Sequence, residues 1–251
     1  MRTIFITGTD TGVGKTLLTA LLLCQLRGNG GRAVAIKPFS CGSREDAELL
    51  YAIQDGNLTL EEINPFHFSE PLAPLVAARK RRRNIPLEAV LASIQQVKHA
   101  FRPSTFLIEG AGGLLAPLGK NYAAVDLITA LSCSVIIVGR NQLGTLNHTL
   151  LTARALAAGF PEIPSLIALH PRVSSRRGRT ISMDGKNAKV VLMNGQGADI
   201  SSRSNPAVLT KLLPGMPVFS IPFLGRNASR PAVIGLCAKR LTRTLAEILG
   251  C

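Results

Sequence analysis

The sequence predicts a single α/β domain with a mostly parallel central sheet and helices on both faces, and three observations point there. Short β-branched apolar runs alternate with longer helical runs in the order of repeated βαβ units. A glycine-rich loop joins the first such strand to the first such helix. The 251 residues are 46% hydrophobic and 18% charged, with a mean hydropathy of +0.25. That balance suits strands covered on both faces, at a length near which one hydrophobic core stops growing.

Thr3–Thr7 (TIFIT) is the first strand. Thr16–Leu26 is apolar almost all round, as a helix packed on a sheet is, and Gly28-Asn-Gly-Gly31 ends it. Arg32–Lys37 is the second strand, stopped by Pro38. Asp46–Ile53 reads as helix, and Leu58–Pro74 as a loop-rich stretch with Pro65, Pro71 and Pro74 as breakers. A helix follows at Leu87–His99, then a strand at Thr105–Ile108 ending at Glu109, a helix at Ala124–Leu131 and a strand at Ser134–Val138. Thr145–Ala158 is a further helix. Pro164–Leu169 and Ala188–Met193 both read as buried strands, and the pattern leaves open which of them occupies the main sheet. Val218–Ile221 is the last strand, and Pro231–Leu249 one terminal amphipathic helix. There is no internal repeat.

Composition removes several function classes. The N-terminal apolar run is too short for a signal peptide, and nowhere do about 18 apolar residues run uninterrupted. A cytoplasmic protein with no membrane span is expected. The five cysteines, Cys24, Cys41, Cys133, Cys237 and Cys251, show no ligand spacing and read as reduced thiols. Lys and Arg number 29 against 15 Asp and Glu, a net charge of +14. The excess concentrates at Arg79–Arg83 and between Arg172 and Lys189, where six basic residues face only Asp184. No zinc finger, RNP pattern or aromatic interleaving accompanies either, so both read as solvated faces and nucleic acid is an unlikely partner. His67 and His99 have no partner at metal-ligand spacing, which leaves no metal chemistry beyond Mg²⁺.

The chemistry starts at Gly8-Thr-Asp-Thr-Gly-Val-Gly-Lys15-Thr16. Glycines let backbone amides approach a β-phosphate, the helix N-terminus adds partial positive charge, Lys15 reaches the β/γ oxygens and the Thr16 hydroxyl can ligate Mg²⁺. This makes the fold P-loop NTPase-like and ATP the expected co-substrate. Gly8 and Gly14 enclose five residues, one more than the common pattern. Lys37 ends the second strand, at the edge of a parallel sheet that faces ligands. Asp46 and Glu109 are the acids that would complete a Mg²⁺ shell, although Asp46 also suits the first turn of its helix.

Together with Lys37-Pro38, Asp46-Ala47, Asn64-Pro65, Glu109-Gly-Ala-Gly-Gly113, Leu143-Gly-Thr-Leu-Asn-His148 and Ile221-Pro-Phe-Leu224, this loop gives the chain a motif order that resembles the dethiobiotin synthetases. Their P-loop has the same five-residue spacing. The resemblance runs from residue 1 to about 160 and resumes near Val190. It implies a homodimer that uses ATP and Mg²⁺ to turn 7,8-diaminononanoate and CO₂ into dethiobiotin. It also implies nucleotide contacts at Gly12, Val13, Gly14, Lys15, Thr16, Leu17, Asp46, Glu109, Gly110, Ala111, Gly112, Asn194, Gly195, Pro222, Phe223 and Leu224. Lys15, Lys37 and Thr11 would serve the reaction, with Asn194 reading adenine. Thr16, Asp46 and Glu109 would hold the metal. Leu143, Gly144, Thr145, Leu146 and Asn147 would receive the substrate carboxylate from the neighbouring subunit, beside Cys41, where many members have serine. On this reading residues 171–189 are a basic insertion. A ParA/MinD-like regulatory ATPase is the alternative, disfavoured because Thr9-Asp10-Thr11 lacks that group's early lysine and the C-terminal helix ends without a basic tail.

Overall fold

In the computed structural model Ile4, Phe5 and Ile6 are all buried, although neighbours along a strand point to opposite faces. Apolar layers therefore cover both faces of the sheet that holds them. The structure describes residues 1–158, 188–197 and 199–250. The chain forms β1 (Arg2–Gly8), α1 (Lys15–Gly28), β2 (Ala33–Ile36), β3 (Phe39–Cys41), α2 (Glu45–Ile53), α3 (Leu60–Ile63), β4 (Phe66–Phe68), α4 (Pro74–Lys80) and α5 (Leu87–Phe101). It continues through β5 (Thr105–Gly113), β6 (Pro117–Gly119), β7 (Tyr122–Ala123), α6 (Ala124–Leu131), β8 (Ser134–Arg140), α7 (Thr145–Ala158) and β9 (Ala188–Met193). It closes with α8 (Asn205–Leu212), β10 (Val218–Ile221), α9 (Pro231–Arg240) and α10 (Thr242–Leu249).

Six strands make the main sheet in the order β10-β9-β8-β1-β5-β2, every neighbouring pair parallel. All their carboxyl ends thus face one edge, with β1 between β8 and β5. The helix α1 packs against α2, α9 and α10, while α5 packs on α6 and α7 on α8. One apolar cluster runs through the described residues, with Phe106, Leu107 and Ile108 fully enclosed. Ile108→Ala removes a side chain with no exposed surface and is expected to cost about 3 kcal/mol, lowering Tm by about 10 °C in a thermal melt.

Several expectations need correction. Of the two runs left open, Ala188–Met193 occupies the main sheet between β8 and β10, and Pro164–Leu169 lies outside the described residues. The basic insertion, read as ending at 189, gives up its last two residues to β9. Lys189 is buried there, its ammonium donating to the carbonyls of Glu247 and Ile248 at 3.2 and 2.7 Å, where the C-terminal end of a helix favours a cation. Residues 171–187 lie outside the description. The terminal helix is two helices, broken at Leu241, and each piece packs on α1.

The stretch read as loop contains α3, capped reciprocally by Thr59 and Glu62, and β4, which pairs in parallel with β3. Pro74 opens α4 at a first-turn position rather than breaking structure. The strand expected to stop at Glu109 runs on to Gly113. Ile6 pairs with Glu109 and Gly8 with Gly113, so β5 carries a bulge opposite Thr7. Gly110 fits there because a Cβ would stand 2.9 Å from the Phe5 ring.

Candidate active site

The loop after β1 folds as its glycines require. Gly12 and Gly14 have φ of +69° and +99°, left-handed conformations that cost other residues energy. Its turn is completed by the Asp10 carboxylate accepting from the Thr11 amide at 2.6 Å. Lys15 is the first residue of α1 and buried, with its ammonium donating to the Asp10 carbonyl at 2.9 Å. Burial is the main cause that lowers its pKa from 10.5 to about 8; Glu109 opposes the shift and Lys37 adds to it.

Glu109, fully buried, draws three parts of the chain together. Its Oε1 accepts from the Thr16 hydroxyl at 2.6 Å and from the Lys37 ammonium at 2.8 Å. Lys37 also donates to Asp46. Burial works against charge on Lys37, but the carboxylates of Glu109 and Asp46 outweigh it and raise its pKa. Lys37 therefore stays an ammonium across the physiological range. Glu109 Oε2 has no hydrogen-bond partner among the described residues, and a buried carboxylate oxygen left unpaired is costly. Thr16 bonds Glu109 directly and Asp46 is linked to it through Lys37, so one hydroxyl and two carboxylates surround this ammonium, hard oxygen donors of the kind that fits Mg²⁺.

Asn64 explains the Asn-Pro pair singled out in the sequence. Its Nδ2 donates to the Lys37 carbonyl at 2.7 Å, and its Oδ1 accepts from Ser40 at 2.7 Å and from Arg44 at 3.1 Å. It pins the backbone that carries Lys37. The Ser40 hydroxyl, beside Cys41, is committed to this bond.

Beside Lys37 opens a cavity of about 700 Å³. Thr9–Thr11 and Lys37 form one wall, Phe39–Cys41 and Asp46 another, and Pro71–Pro74, Ala111–Ala116 and the α7 residues Leu151, Thr152 and Ala155 close it. Burial, with a lesser contribution from Glu70, pushes the Cys41 thiol up to about 11, so it faces the cavity protonated. The lining is mostly apolar, with the charged Asp10, Lys37 and Asp46 among it, as suits a short hydrocarbon chain carrying amines.

Leu143, Gly144, Thr145, Leu146 and Asn147 do not line this cavity. Leu143 is 82% exposed, and its amide donates to Asp199 at 2.7 Å. Asn194 and Gly195 follow β9, and Pro222, Phe223 and Leu224 follow β10; the Asn194 amide bonds the Ile221 carbonyl. These lie on the same sheet edge as the P-loop, where a Cβ on Gly14 would meet the Met193 side chain at 3.0 Å. Arg140 was not foreseen. It ends β8, and its guanidinium donates to the Gly12 carbonyl at 3.0 and 3.2 Å. Its only signal in the sequence is its place at the carboxyl end of a strand.

The lowered pKa of Lys15 has a measurable consequence. A triphosphate stabilises the ammonium, so near pH 8 binding of ATP should draw a fraction of a proton from solution. Calorimetric binding enthalpies in buffers of different ionisation enthalpy should diverge at pH 8 and converge at pH 6.5. Identical enthalpies at pH 8 would show that Lys15 is already charged.

Three comparisons bear on this arrangement. A family model described as an AAA domain matches residues 2–193. Among curated proteins, the ATP-dependent dethiobiotin synthetase BioD of Anaeromyxobacter sp. (strain K) is 37% identical over 240 residues, covering 94% of this chain and 96% of that protein. The proteins of the same name from Anaeromyxobacter sp. (strain Fw109-5) and Bacillus subtilis (strain 168) are 46% and 40% identical, over 63% and 64% of this chain and 72% and 71% of their own lengths. Among solved structures, the Aquifex aeolicus MinC:MinD cell division protein complex aligns with a TM-score of 0.53 at 14% identity, covering 96% of each chain. pNOB8 ParA bound to nonspecific DNA gives 0.51 at 14%, covering 98% of this chain and 95% of that one. These two share the fold.

Proposed function

Because the chain belongs to the dethiobiotin synthetase family, we propose that it closes the ureido ring of dethiobiotin from 7,8-diaminononanoate and CO₂ at the expense of ATP. The observation that carries this reading is Lys37, a buried ammonium held by Glu109 and Asp46 where the P-loop meets the cavity. One substrate amine bonds to the carbon of CO₂ and loses a proton, giving a carbamate. A carbamate oxygen takes the γ-phosphoryl group and ADP departs. The second amine then attacks the carbamoyl carbon, phosphate leaves with the C–O electron pair, and the ring closes.

Each step demands positioning and neutralisation of anionic oxygens, which Lys15, Lys37 and the P-loop amides supply, with Thr11 beside the carbamate. Thr16, Asp46 and Glu109 would hold Mg²⁺, which when bound offsets the negative charge gathered on the phosphate oxygens. Asn194, Gly195 and Pro222–Leu224 would hold the base, with Gly12–Leu17 and Gly110–Gly112 around the phosphates. The substrate's apolar chain suits the Pro71–Pro74 wall.

The protein acts as a homodimer in this reading. The segment Leu143–Asn147, which does not line its own cavity and is exposed at Leu143, Gly144 and Asn147, would close the site of a second copy by offering helix N-terminal amides to the substrate carboxylate. Among the described residues no helix is long and apolar enough to cross a membrane.

Incubating the protein with 7,8-diaminononanoate, bicarbonate, Mg²⁺ and ATP should yield dethiobiotin, ADP and phosphate in equal amounts. Absence of product from a folded sample would overturn the proposal. The regulatory-ATPase alternative calls for DNA binding that strengthens with ATP and persists at moderate salt.

A further inference from the structure

Asn141 opens the turn after β8, only 4% exposed, and belongs to none of the roles assigned above. Its amide sits in a chain of three asparagines whose donors and acceptors can be deduced. The Nδ2 of Asn205 lies 3.2 Å from the carbonyl of Gln142 and 3.0 Å from Oδ1 of Asn141. A backbone carbonyl only accepts, so Asn205 must donate on that side, and Asn141 must turn its oxygen towards it. The Nδ2 of Asn141 lies 2.9 Å from the carbonyl of Ser202, which demands the same orientation independently. Turning the Asn141 amide over would set oxygen against oxygen at Ser202 and N–H against N–H at Asn205.

The remaining hydrogen on Asn141 Nδ2 points at Asn194, 2.7 Å from its Oδ1. That bond fixes the Asn194 amide in turn. Its oxygen faces Asn141 with one lone pair left over, and both hydrogens of its Nδ2 stay available on the other side. Asn141 and Asn205, at 4% and 2% exposure, are shielded from water, so this orientation is maintained before any nucleotide arrives.

We infer that Asn141 is a positioning residue that sets the base preference of this protein by locking the amide of Asn194 with its acceptor and donor in fixed places. The inference rests on the proposed role of Asn194 as the residue that meets the base. A locked carboxamide offers one acceptor beside one donor, which matches the exocyclic amine and adjoining ring nitrogen of adenine. Guanine presents two acceptors at the corresponding edge, and one of them would face the Asn194 oxygen. An unlocked Asn194 turns freely, spreads over both orientations and loses part of this discrimination.

The test is equilibrium binding of ADP and of GDP, each with Mg²⁺ and without the diamine substrate, to wild type, Asn194→Ala, Asn141→Leu and Asn141→Asp. Wild type should prefer ADP. Asn141→Leu removes the restraint at similar volume, and its ratio of GDP to ADP dissociation constants should fall about tenfold, as should that of Asn194→Ala. Asn141→Asp accepts from Asn205, sets an oxygen against the Ser202 carbonyl at a cost in stability, and turns the Asn194 amide over, so in the folded variant the ratio should fall at least as far. A thermal melt identifies the variant that folds if one does not, and either suffices. A lowered ratio in Asn194→Ala with an unchanged ratio in a folded Asn141 variant would overturn the inference while the role of Asn194 stood. Unchanged ratios in every variant would remove Asn194 from base recognition and the inference with it, whereas dethiobiotin formation is assayed separately and could still succeed.

Discussion

Replacing Lys37 with alanine should lower the rate of dethiobiotin formation by about 10³-fold while the dissociation constant for ATP changes little. The ammonium is held by two carboxylates in the wall of the cavity, whereas the Lys15 ammonium contacts the P-loop carbonyl of Asp10. Binding of the triphosphate is therefore left to the P-loop, and Lys37 acts where charge develops on the transferring group. The substitution has a second cost, because the fully buried Glu109 loses the ammonium hydrogen-bonded to it, about 3 kcal/mol. Mg²⁺ with nucleotide should restore part of that stability. A thermal shift that is larger for the variant than for wild type on adding Mg²⁺ and ATP is the expected signature. Turnover near the wild-type rate would remove Lys37 from the mechanism.

Glu109→Gln is the complementary change. The amide keeps the shape but has one acceptor instead of a charged pair of oxygens, and Thr16 and Lys37 both donate to the same oxygen now. The half-saturating Mg²⁺ concentration should rise at least tenfold, and turnover at saturating Mg²⁺ should fall about 10²-fold. The Lys37 pKa should also drop, since Glu109 is the largest influence that raises it. The pH profile of the variant should accordingly lose activity at the alkaline end earlier than wild type, as Lys37 sheds its proton. An unaltered Mg²⁺ dependence would place the metal elsewhere.

What the sequence disclosed and what it hid divide on physical lines. The P-loop, Lys37, Asp46 and Glu109 were legible because each is tied to a local pattern, a glycine-rich turn or the end of an apolar strand. Arg140 and Asn141 were not, because their meaning comes from β8 lying beside β1 and β9, an adjacency between distant parts of the chain. The break at Leu241 carries neither proline nor glycine. It coincides with the Thr242 hydroxyl, which bonds back to the carbonyls of Ala238 and Lys239 at 3.3 and 2.9 Å and competes with the helical pattern. The short helix α3 had a readable signal, Thr59 followed three residues later by Glu62, masked by the prolines around it. Pro164–Leu169 and Ala188–Met193 looked alike because both are short apolar runs, and only pairing partners separate such runs.

The strand order imposes a schedule on biosynthesis. Strand Arg2–Gly8 pairs on one side with residues beginning at Thr105 and on the other with residues beginning at Ser134, so both its partners are made well after it. Until Thr105 and the residues after it are made, both edges of this strand stay unpaired, a state prone to association. The P-loop is made before the residues that hold it, since its Thr16 hydroxyl bonds Glu109 and its Gly12 carbonyl accepts from Arg140. ATP in the cell therefore cannot template the early nascent chain, and molecular chaperones rather than ligand should govern the yield of folded enzyme.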